Sequence, residues 1–415
     1  MKTILHVDIN SCYASIEVAL NPQWKGLPLA VCGSVENRHG IVLAKSQEAK
    51  VMGVKTGEAV WQARNKCPNL LVVPPHYEEY LKYSRIVRGI YYEYTNQVEP
   101  FGLDECWLDV TESEHLFGNG ETIGHAIRER IKRELKITVS VGVSFNKVFA
   151  KLGSDLKKPD ALTYIPYDNF RDIVWPLDVD EMIGIGRATK EKLRLMSVRT
   201  LGDLAMADPK ILKCKLGING VDLWNKANGR DYSPVMDSAY RSPIKSIGRG
   251  ITCREDLVSS TEVKHVFQEL SLDVAKRLRD NGMKARGVQI SVRNCDLFIA
   301  QHQGPLPYAT AGSAAMVDVA MELFNKKYPK CGKIRSLTIR AIDLVGDKVG
   351  VQKDMFGNYE DFSKREKVDD AIYSIRKRFG KDSVTFASLI GDIKMPTDRT
   401  DIVTLPGGVE RMGVI

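Results

Sequence analysis

Three acidic residues in this sequence have the types and positions that divalent-ion chemistry needs. Asp8 follows a short apolar run, and Asp104 and Glu105 stand together between two predicted strands, 98–101 and 106–110. At the tip of a strand–turn–strand hairpin, two adjacent acids can converge on one ion, and Mg²⁺ prefers oxygen ligands such as carboxylates. An acid at the end of a buried strand is costly unless it is paired or bound to a metal. Surface acids near turns are the alternative, and composition and spacing alone leave the choice open.

The elements that would position these acids alternate between strands and helices as far as residue 166. Short apolar or alternating runs predict strands at 4–7, 29–32, 41–44, 98–101, 106–110 and 139–143. Longer amphipathic stretches predict helices at 12–20, 47–52, 77–93 and 124–135. This interleaving predicts one mixed α/β body.

Beyond residue 166 the pattern changes twice. Residues 167–235 are helical by pattern, with turns marked by Gly and Asp-Pro. From residue 242, strands and helices follow in the order β-α-β-β-α-β, which predicts helices packed on one sheet. The clearest of these elements are strands at 288–292 and 337–341 and helices at 263–278 and 314–324. Residues 348–362 are polar and Gly-rich and are predicted as a linker, and one more short helix is predicted at 368–379.

The overall composition sets only weak limits on the number of domains and on the function. The chain has 415 residues, which suggests about two to four domains, and its net charge of +8 is compatible with nucleic-acid binding without establishing it. Its eight cysteines include no C-x-x-C pair, so neither a zinc site nor a disulfide framework is indicated, and free thiols are expected. We find no signal segment and no apolar run that could span a bilayer, so we expect a cytoplasmic protein without membrane contact.

Three longer motifs carry a resemblance to a known family. They read HVDINSCYASIE at 6–17, FGLDEC at 101–106 and SVGVSFNKVFAK at 140–151. In this order and at these separations they resemble the Y family of translesion DNA polymerases, and the match runs to about residue 345. The chain is similar to both the DNA polymerase IV branch and the UmuC branch of the family. Asn10 and the long C-terminal tail resemble the UmuC branch more than the DNA polymerase IV branch.

The resemblance implies an α+β fold shaped as a right hand. We expect a palm (1–10 and 77–166), fingers (11–76), a thumb with a helix–hairpin–helix turn (167–235), a β-α-β-β-α-β little finger (242–347) and a C-terminal tail (348–415). It also implies an error-prone DNA-directed DNA polymerase that performs translesion synthesis, joining dNTPs to a primer 3′-hydroxyl on template DNA.

The resemblance assigns the three acids to catalysis. Asp8, Asp104, Glu105 and the carbonyl of Ile9 would hold two Mg²⁺ ions, one lowering the pKa of the primer hydroxyl and one neutralising the triphosphate. Tyr13 lies where the family places its steric gate, a flat ring that leaves no room for a ribose 2′-hydroxyl. A plain core aromatic is the alternative for this tyrosine.

The nucleotide site implied by the resemblance includes two departures from the family pattern. Its residues would be Asn10, Ser11, Cys12, Tyr13, Gln47, Lys50 and Lys158. Gln47 and Lys50 stand where the family often carries Tyr and Arg, so Lys50 can supply a point charge but no bidentate fork. The family's usual Pro-Asn-Gly is Pro159-Asp160-Ala161 here, which puts the shape of this loop in doubt.

The resemblance also implies partners. DNA contacts are expected from Gly184 and Gly186 in the thumb and from Lys245, Ser246, Arg249, Arg293 and Arg340 in the little finger, although a solvated surface would explain single charges equally well. Gln352, Met355 and Phe356 resemble the peptide that binds the bacterial sliding clamp, the β subunit. Accessory proteins are further partners of some relatives, whereas the polymerase core itself is expected to be a monomer, at the nucleoid when active. A non-catalytic relative and a different two-metal enzyme are the rival interpretations.

Overall fold

The computed structural model of the chain describes residues 1–36, 38, 40–237, 240, 243–328, 332–350, 358–391 and 393–396. The chain divides into two compact units, one built from residues 1–33 and 41–242 and the other from residues 34–40 and 243–401. Residues 34–40, inside the segment expected to form the fingers, therefore group with the second unit.

Both units contain helices and strands. In the described ranges the strands are β1 (Ile4–Ile9), β2 (Leu29–Cys32), β3 (Val42–Lys45), β4 (Leu71–Val73), β5 (Val98–Phe101), β6 (Glu105–Asp109), β7 (Val139–Ser144), β8 (Leu162–Ile165), β9 (Ile247–Leu257), β10 (Met283–Asn294), β11 (Ile299–Thr310) and β12 (Ile334–Gly346). The α-helices are α1 (Cys12–Leu20), α2 (Gln47–Val51), α3 (Val60–Lys66), α4 (Tyr77–Tyr92), α5 (Glu114–Phe117), α6 (Gly120–Leu135), α7 (Lys147–Leu156), α8 (Phe170–Val174), α9 (Arg187–Leu195), α10 (Leu201–Met206), α11 (Pro209–Leu216), α12 (Ile218–Ala227), α13 (Ser260–Asp280), α14 (Ser313–Lys327) and α15 (Asn358–Phe379). None of these helices is both long and apolar enough to cross a membrane.

A five-stranded sheet, here called the palm sheet, forms the centre of the first unit. Its order is β5-β6-β1-β7-β8, and β1 runs antiparallel to both of its neighbours. Because side chains alternate along a strand, Leu5, Val7 and Ile9 face a fully buried apolar core. The intervening residues of β1 and Asn10 just beyond it occupy the opposite face, where α7 packs. One strand thus supplies core residues to one face and polar residues to the other.

Two smaller assemblies complete the first unit. The segment expected to form the fingers contains a three-stranded sheet, β3-β2-β4, whose strands are only three or four residues long. The segment expected to form the thumb contains α8–α12, and its turns are closed by side-chain caps. Thr200 accepts from the backbone of Asp203, and Asp208 accepts from that of Lys210 directly before α11.

The second unit has the strand and helix order predicted from its sequence. Strands β9, β10, β11 and β12 form an antiparallel sheet in the order β11-β10-β12-β9, and α13 and α14 pack on one face of it. The predicted order β-α-β-β-α-β is therefore confirmed, and the mixed α+β character of the whole chain with it.

Two helices begin four or more residues earlier than predicted. Helix α6 begins at Gly120 rather than at residue 124, after Asn119 accepts a hydrogen bond from the backbone of Thr122. Helix α15 begins at Asn358 rather than at residue 368, so the predicted linker 348–362 ends in a helix. Periodicity missed this start because α15 is largely polar and is held by tertiary contacts. The buried Asp369, for example, accepts a 2.7 Å hydrogen bond from the hydroxyl of Ser313 at the start of α14.

Candidate active site

Strand pairing brings the three predicted acids to one end of the palm sheet. Asp8 stands directly opposite Glu105 in the antiparallel pair β1–β6, so both side chains lie on the same face. Asp104 immediately precedes β6, and its carbonyl accepts a 3.0 Å hydrogen bond from the backbone N–H of Ile9. The turn before it needs Gly102, which has a φ of +85°. The sequence prediction of an acid-tipped hairpin beside Asp8 therefore matches the geometry.

Lysines from the neighbouring helix and loop engage two of these carboxylates. Lys158 Nζ lies 2.6 Å from Asp8 Oδ2 and 2.6 Å from Asp155 Oδ1. Lys151 Nζ lies 2.6 Å from Glu105 Oε2. Among the described residues, no three His, Cys, Asp or Glu side chains converge closely enough to share a metal ion. The acids are thus adjacent, and Asp8 and Glu105 are each paired with an ammonium group.

The electrostatics of the cluster favour a further cation. Burial and the nearby charges of Glu105 and Asp104 raise the pKa of Asp8 to about 7, although Lys158 opposes this rise. Burial, followed by the charge of Glu105, also raises the pKa of Asp104. Burial acts in the same direction on Glu105, but His6 and Lys151 outweigh it and lower its pKa to about 2. Buried carboxylates that disfavour each other's charge are suitable ligands for divalent ions, so these residues fit the metal that the family resemblance implies.

His6 is a member of this site that sequence reasoning missed. Its ring is fully buried, its Nδ1 is hydrogen-bonded to Ser154 Oγ at 2.8 Å, and its Nε2 lies 3.2 Å from Glu105 Oε2. It also meets the ring of Trp107 edge to face. The available signal was its spacing, because a residue two positions before Asp8 in a strand shares its face.

Tyr13, the predicted steric gate, lies in the first turn of α1 and is half-buried. Its ring stacks on Tyr80 with centroids 4.2 Å apart and planes 10° from parallel, and Tyr77 meets it edge-on. Behind this stack, the buried Glu17 accepts hydrogen bonds from the hydroxyl of Tyr80 and, at 2.8 Å, from His76 Nδ1 when that nitrogen is protonated. Tyr13 is therefore a packed aromatic residue that still presents part of its ring outside the core.

The remaining predicted nucleotide residues of the fingers divide into a group next to Tyr13 and a group in α2. Ser11, with a left-handed φ of 48°, precedes α1, and its hydroxyl accepts a 3.3 Å hydrogen bond from Gln47 Nε2. Cys12 is buried, so only its backbone is available to a nucleotide. Lys50 is exposed, and the half-buried Lys45 lies near it. Burial and the charge of Lys50 lower the pKa of Lys45, which makes Lys45 a second basic residue of the fingers that the sequence did not single out.

One of the two predicted thumb glycines lines a basic cavity. Gly184 has a φ of +97°, and Gly186 directly precedes α9. Gly184 lines a cavity of about 450 Å³ together with three lysines, Lys192, Lys215 and Lys226. Positive side chains beside a glycine turn and a helix N-terminus form a surface suited to a phosphate.

The predicted basic residues of the little finger do not all share one surface. Arg340 lies opposite Gln289 on one side and Gly248 on the other, on the sheet face away from α13 and α14, and Arg293 shares that face. Arg249 instead pairs with the core residue Ile339, and its side chain lies 3.5 Å from Asp273 of α13. Strand alternation therefore turns Arg249 towards the helices, and its contact with DNA stays a prediction.

Two more residues predicted to contact DNA lie at the start of the little finger. Lys245 is exposed and Ser246 half-buried, just before β9. The predicted clamp-binding residues Gln352, Met355 and Phe356 lie outside the described residues.

Family models match most of the chain. Residues 7–155 match the impB/mucB/samB family, and residues 244–355 match the C-terminal domain of that family. DNA polymerase IV of Acetivibrio thermocellus is 46% identical over 391 residues, which cover 94% of this chain and 98% of that protein. DNA polymerase IV 1 of Bacillus subtilis is 38% identical, with 91% of each chain covered. Both relatives are named DNA polymerase IV, so they do not support the expectation that the chain is closer to the UmuC branch.

A solved structure agrees with this relationship. The Y-family DNA polymerase chimera Dbh-Dpo4(243-245)-Dbh superposes with a TM-score of 0.74 at 25% identity, and the match covers 83% of this chain and 99% of that chain. The α+β right-hand polymerase fold is therefore confirmed. The chain belongs to the impB/mucB/samB family of Y-family translesion DNA polymerases and is a DNA-directed DNA polymerase.

Proposed function

We propose that this polymerase extends primers past damaged template positions, with reduced accuracy, by a metal-dependent nucleotidyl transfer at Asp8, Asp104 and Glu105. The observation that carries the proposal is the placement of these acids. Asp8 faces Glu105 across two paired strands, and Asp104 is tied to Ile9 at the end of the same strand. Burial raises the pKa of Asp8 and of Asp104, whereas His6 and Lys151 lower the pKa of Glu105. The cluster therefore needs nearby cations to remain charged.

Two Mg²⁺ ions would be held by these three carboxylates and the carbonyl of Ile9. When bound, such ions lower the pKa of the primer 3′-hydroxyl and neutralise charge on the triphosphate. Lys158 and Lys151 meanwhile keep Asp8 and Glu105 paired at 2.6 Å, so neither carboxylate is buried without a counter-charge.

The nucleotide would lie between the fingers and the end of β1. Lys158 already reaches the site from one side, and a triphosphate carries more negative charge than its present partners Asp8 and Asp155 do together. Lys45 and Lys50 would supply positive charge from the fingers, and Gln47 a hydrogen bond. The partly exposed ring of Tyr13 would exclude the 2′-hydroxyl of a ribonucleotide.

Primer–template DNA would be held without reading its sequence. The lysine-lined cavity beside Gly184 and the open sheet face that carries Arg293 and Arg340 are suited to the phosphate backbone. The short strands of the fingers sheet are consistent with a small fingers domain, which leaves room for a damaged base. Docking of the sliding clamp through residues 352–356, a need for accessory proteins, a monomeric core and a cytoplasmic, nucleoid-associated location stay predictions from the sequence.

Primer extension on undamaged and abasic templates tests the catalytic assignment. Asp104→Ala and Glu105→Ala are expected to abolish nucleotide incorporation while primer–template DNA still binds. Glu99→Gln is a matched control, because Glu99 belongs to the same sheet but pairs with Lys147, at 2.6 Å, rather than facing Asp8. Full extension by either acid variant would refute the assignment, and DNA binding without extension by the unmodified protein would favour a non-catalytic relative.

Competition between nucleotides tests the role of Tyr13. Tyr13→Ala is expected to raise ribonucleotide incorporation relative to deoxynucleotide incorporation, because the ring that blocks the 2′-hydroxyl is removed. Unchanged sugar discrimination in a variant that still extends primers would contradict the role of a steric gate.

Clamp docking has its own test. The double substitution Met355→Ala with Phe356→Ala is expected to abolish capture of the polymerase by the immobilised sliding clamp, while primer extension without clamp is unchanged. Undiminished capture would exclude this peptide as the docking site.

A further inference from the structure

The loop that carries Lys158 has an unusual backbone that the rest of the palm holds in place. It joins α7 to β8, and Asp160 within it adopts a left-handed φ of 50°. That conformation costs a non-glycine residue on the order of 1 kcal/mol, and the family pattern places Asn and Gly at this point of the loop. Contacts from outside the loop can offset this cost.

Two basic side chains of α6 supply those contacts. Arg128 Nη2 donates to the carbonyl oxygen of Asp160 at 2.5 Å and to its Oδ1 at 3.0 Å. Lys132 Nζ, one helical turn along, donates to Oδ2 at 2.7 Å. Burial acts to raise the pKa of Asp160, but the hydrogen bonds from Lys132 and Arg128 outweigh it and keep the pKa below its usual value. The arginine side chain is 11% exposed, so its ion pair is shielded from water more than a surface pair would be.

A third contact ties the loop to the catalytic strand. The backbone N–H of Asp160 donates to Asn10 Oδ1 at 2.8 Å, which also accepts from the hydroxyl of Thr138. The amide nitrogen of Asn10 donates to Ser140 Oγ at 2.8 Å. Asn10 is buried and follows β1, two residues after Asp8. The loop is therefore fixed on one side to the strand that presents Asp8 and on the other to α6.

We infer that Arg128, assisted by Lys132, is a positioning residue for Lys158 and so determines how tightly the polymerase holds the triphosphate of the incoming nucleotide. The inference rests on the proposed function of Lys158. Arg128 reaches Asp160 and Lys158 stands two residues before it, with its Nζ 2.6 Å from Asp8. Neither α6 side chain needs to touch the nucleotide, because each acts through the loop.

Single-nucleotide insertion kinetics test the inference with a matched control on the same helix. Arg128→Ala is expected to raise KM for dNTP by about tenfold, the factor that corresponds to one charge-assisted hydrogen bond, with kcat and DNA affinity within about twofold. Arg130→Ala should leave KM unchanged, because Arg130 pairs with Glu93 and Glu134 instead. Arg128→Lys should restore part of the affinity.

A double-mutant cycle shows whether Arg128 acts through Lys158. If it does, Arg128→Ala combined with Lys158→Ala should have the same KM as Lys158→Ala alone, because the lysine that is being positioned is gone. Equilibrium binding of dNTP to the complex with a dideoxy-terminated primer should show the same pattern without any chemistry. Additive effects, an unchanged KM in Arg128→Ala, or an equal rise in Arg130→Ala would overturn the inference.

The controls separate this inference from the proposed function. If the unmodified protein extends no primer, the proposed function fails, whereas normal extension with an unaffected Arg128→Ala variant removes only the inference. If Arg128→Ala does not fold, Asp160→Asn removes the carboxylate charge but keeps the backbone hydrogen bond to Asn10. It should raise KM less than Lys158→Ala does, and an unchanged KM would contradict the inference.

Discussion

Gly142, in the middle of β7, determines how closely α7 approaches the face of the palm sheet that carries Asp8. A Cβ atom at this position would lie 1.9 Å from the carbonyl oxygen of Ala150 and 2.5 Å from the backbone nitrogen of Ser154. Both atoms belong to the backbone of α7, so no side chain can rotate away. Since separations under 3.0 Å essentially never occur for a real Cβ, Gly142→Ala has to displace the helix by at least about 1 Å.

The cost of this displacement follows from the rigidity of the obstacle. Overpacking a core with one additional group costs about 1–3 kcal/mol when side chains can adjust, so we expect a loss in the free energy of unfolding of about 3 kcal/mol or more. The shift would also move Lys151 away from Glu105 and Ser154 away from His6. Because misplacement of about 1 Å can reduce catalysis about 10²-fold, any folded fraction should be strongly impaired in primer extension.

Gly89 provides the matched control for this substitution. It lies inside α4, where an added Cβ would meet nothing within 4 Å, so Gly89→Ala should stabilise the protein by about 0.5–1 kcal/mol through reduced entropy of the unfolded chain. Urea unfolding of the two variants and of the unmodified protein, with primer extension on the folded samples, measures both effects. If Gly142→Ala unfolds at the same urea concentration as the unmodified protein and extends primers normally, the close approach of α7 is not required.

Three further predictions concern the steric gate, the little finger and the thumb. Glu17→Gln weakens the acceptor of the Tyr80 hydroxyl, so discrimination against ribonucleotides should fall by a few fold in competition assays while dNTP insertion persists. Asp369→Ala should lower thermal stability by about 1 kcal/mol because the buried carboxylate caps α14, whereas the adjacent Asp370→Ala, which removes a surface ion pair, should cost less. Lys192→Ala should weaken DNA binding equally for all sequences and reduce the salt slope by about 1, an effect that titrations at several KCl concentrations would reveal.

Much of the fold could be predicted where a single segment carries its own periodic signal. The helix predicted at 12–20 coincides with α1, and the strand predicted at 139–143 is β7 to within one residue. Helix α15 shows the opposite case. Its polar sequence carries little periodicity, and Arg365 and Asp369 hold it against α14 through partners about 50 residues away in sequence. Contacts of that kind leave no local pattern.

In the candidate site, too, some residues could be predicted from the sequence around them, whereas others are defined by partners far away in the sequence. Asp8, Asp104 and Glu105 were predictable because each lies where an apolar strand meets a turn. Lys151 was not, because its partner Glu105 is 46 residues away and nothing in the spacing connects them. His6 was predictable only in part, because its spacing places it on the same face as Asp8 but only the strand register places it beside Glu105.

The departures from the family pattern at Gln47 and Lys50 would change the geometry of the proposed triphosphate site more than its charge. Gln47 and Lys50 replace a residue pair that includes an arginine, so the bidentate fork is lost. The structure adds Lys45 in the fingers, whose pKa is lowered by burial and by Lys50, and an ammonium group in that condition gains more from a bound anion than an exposed one does. On the palm side, Asp160 departs from the pattern as well, yet two cations hold it in place. In the proposed function, recognition of the triphosphate would therefore depend on point charges, and Lys158 would be the most precisely positioned of them.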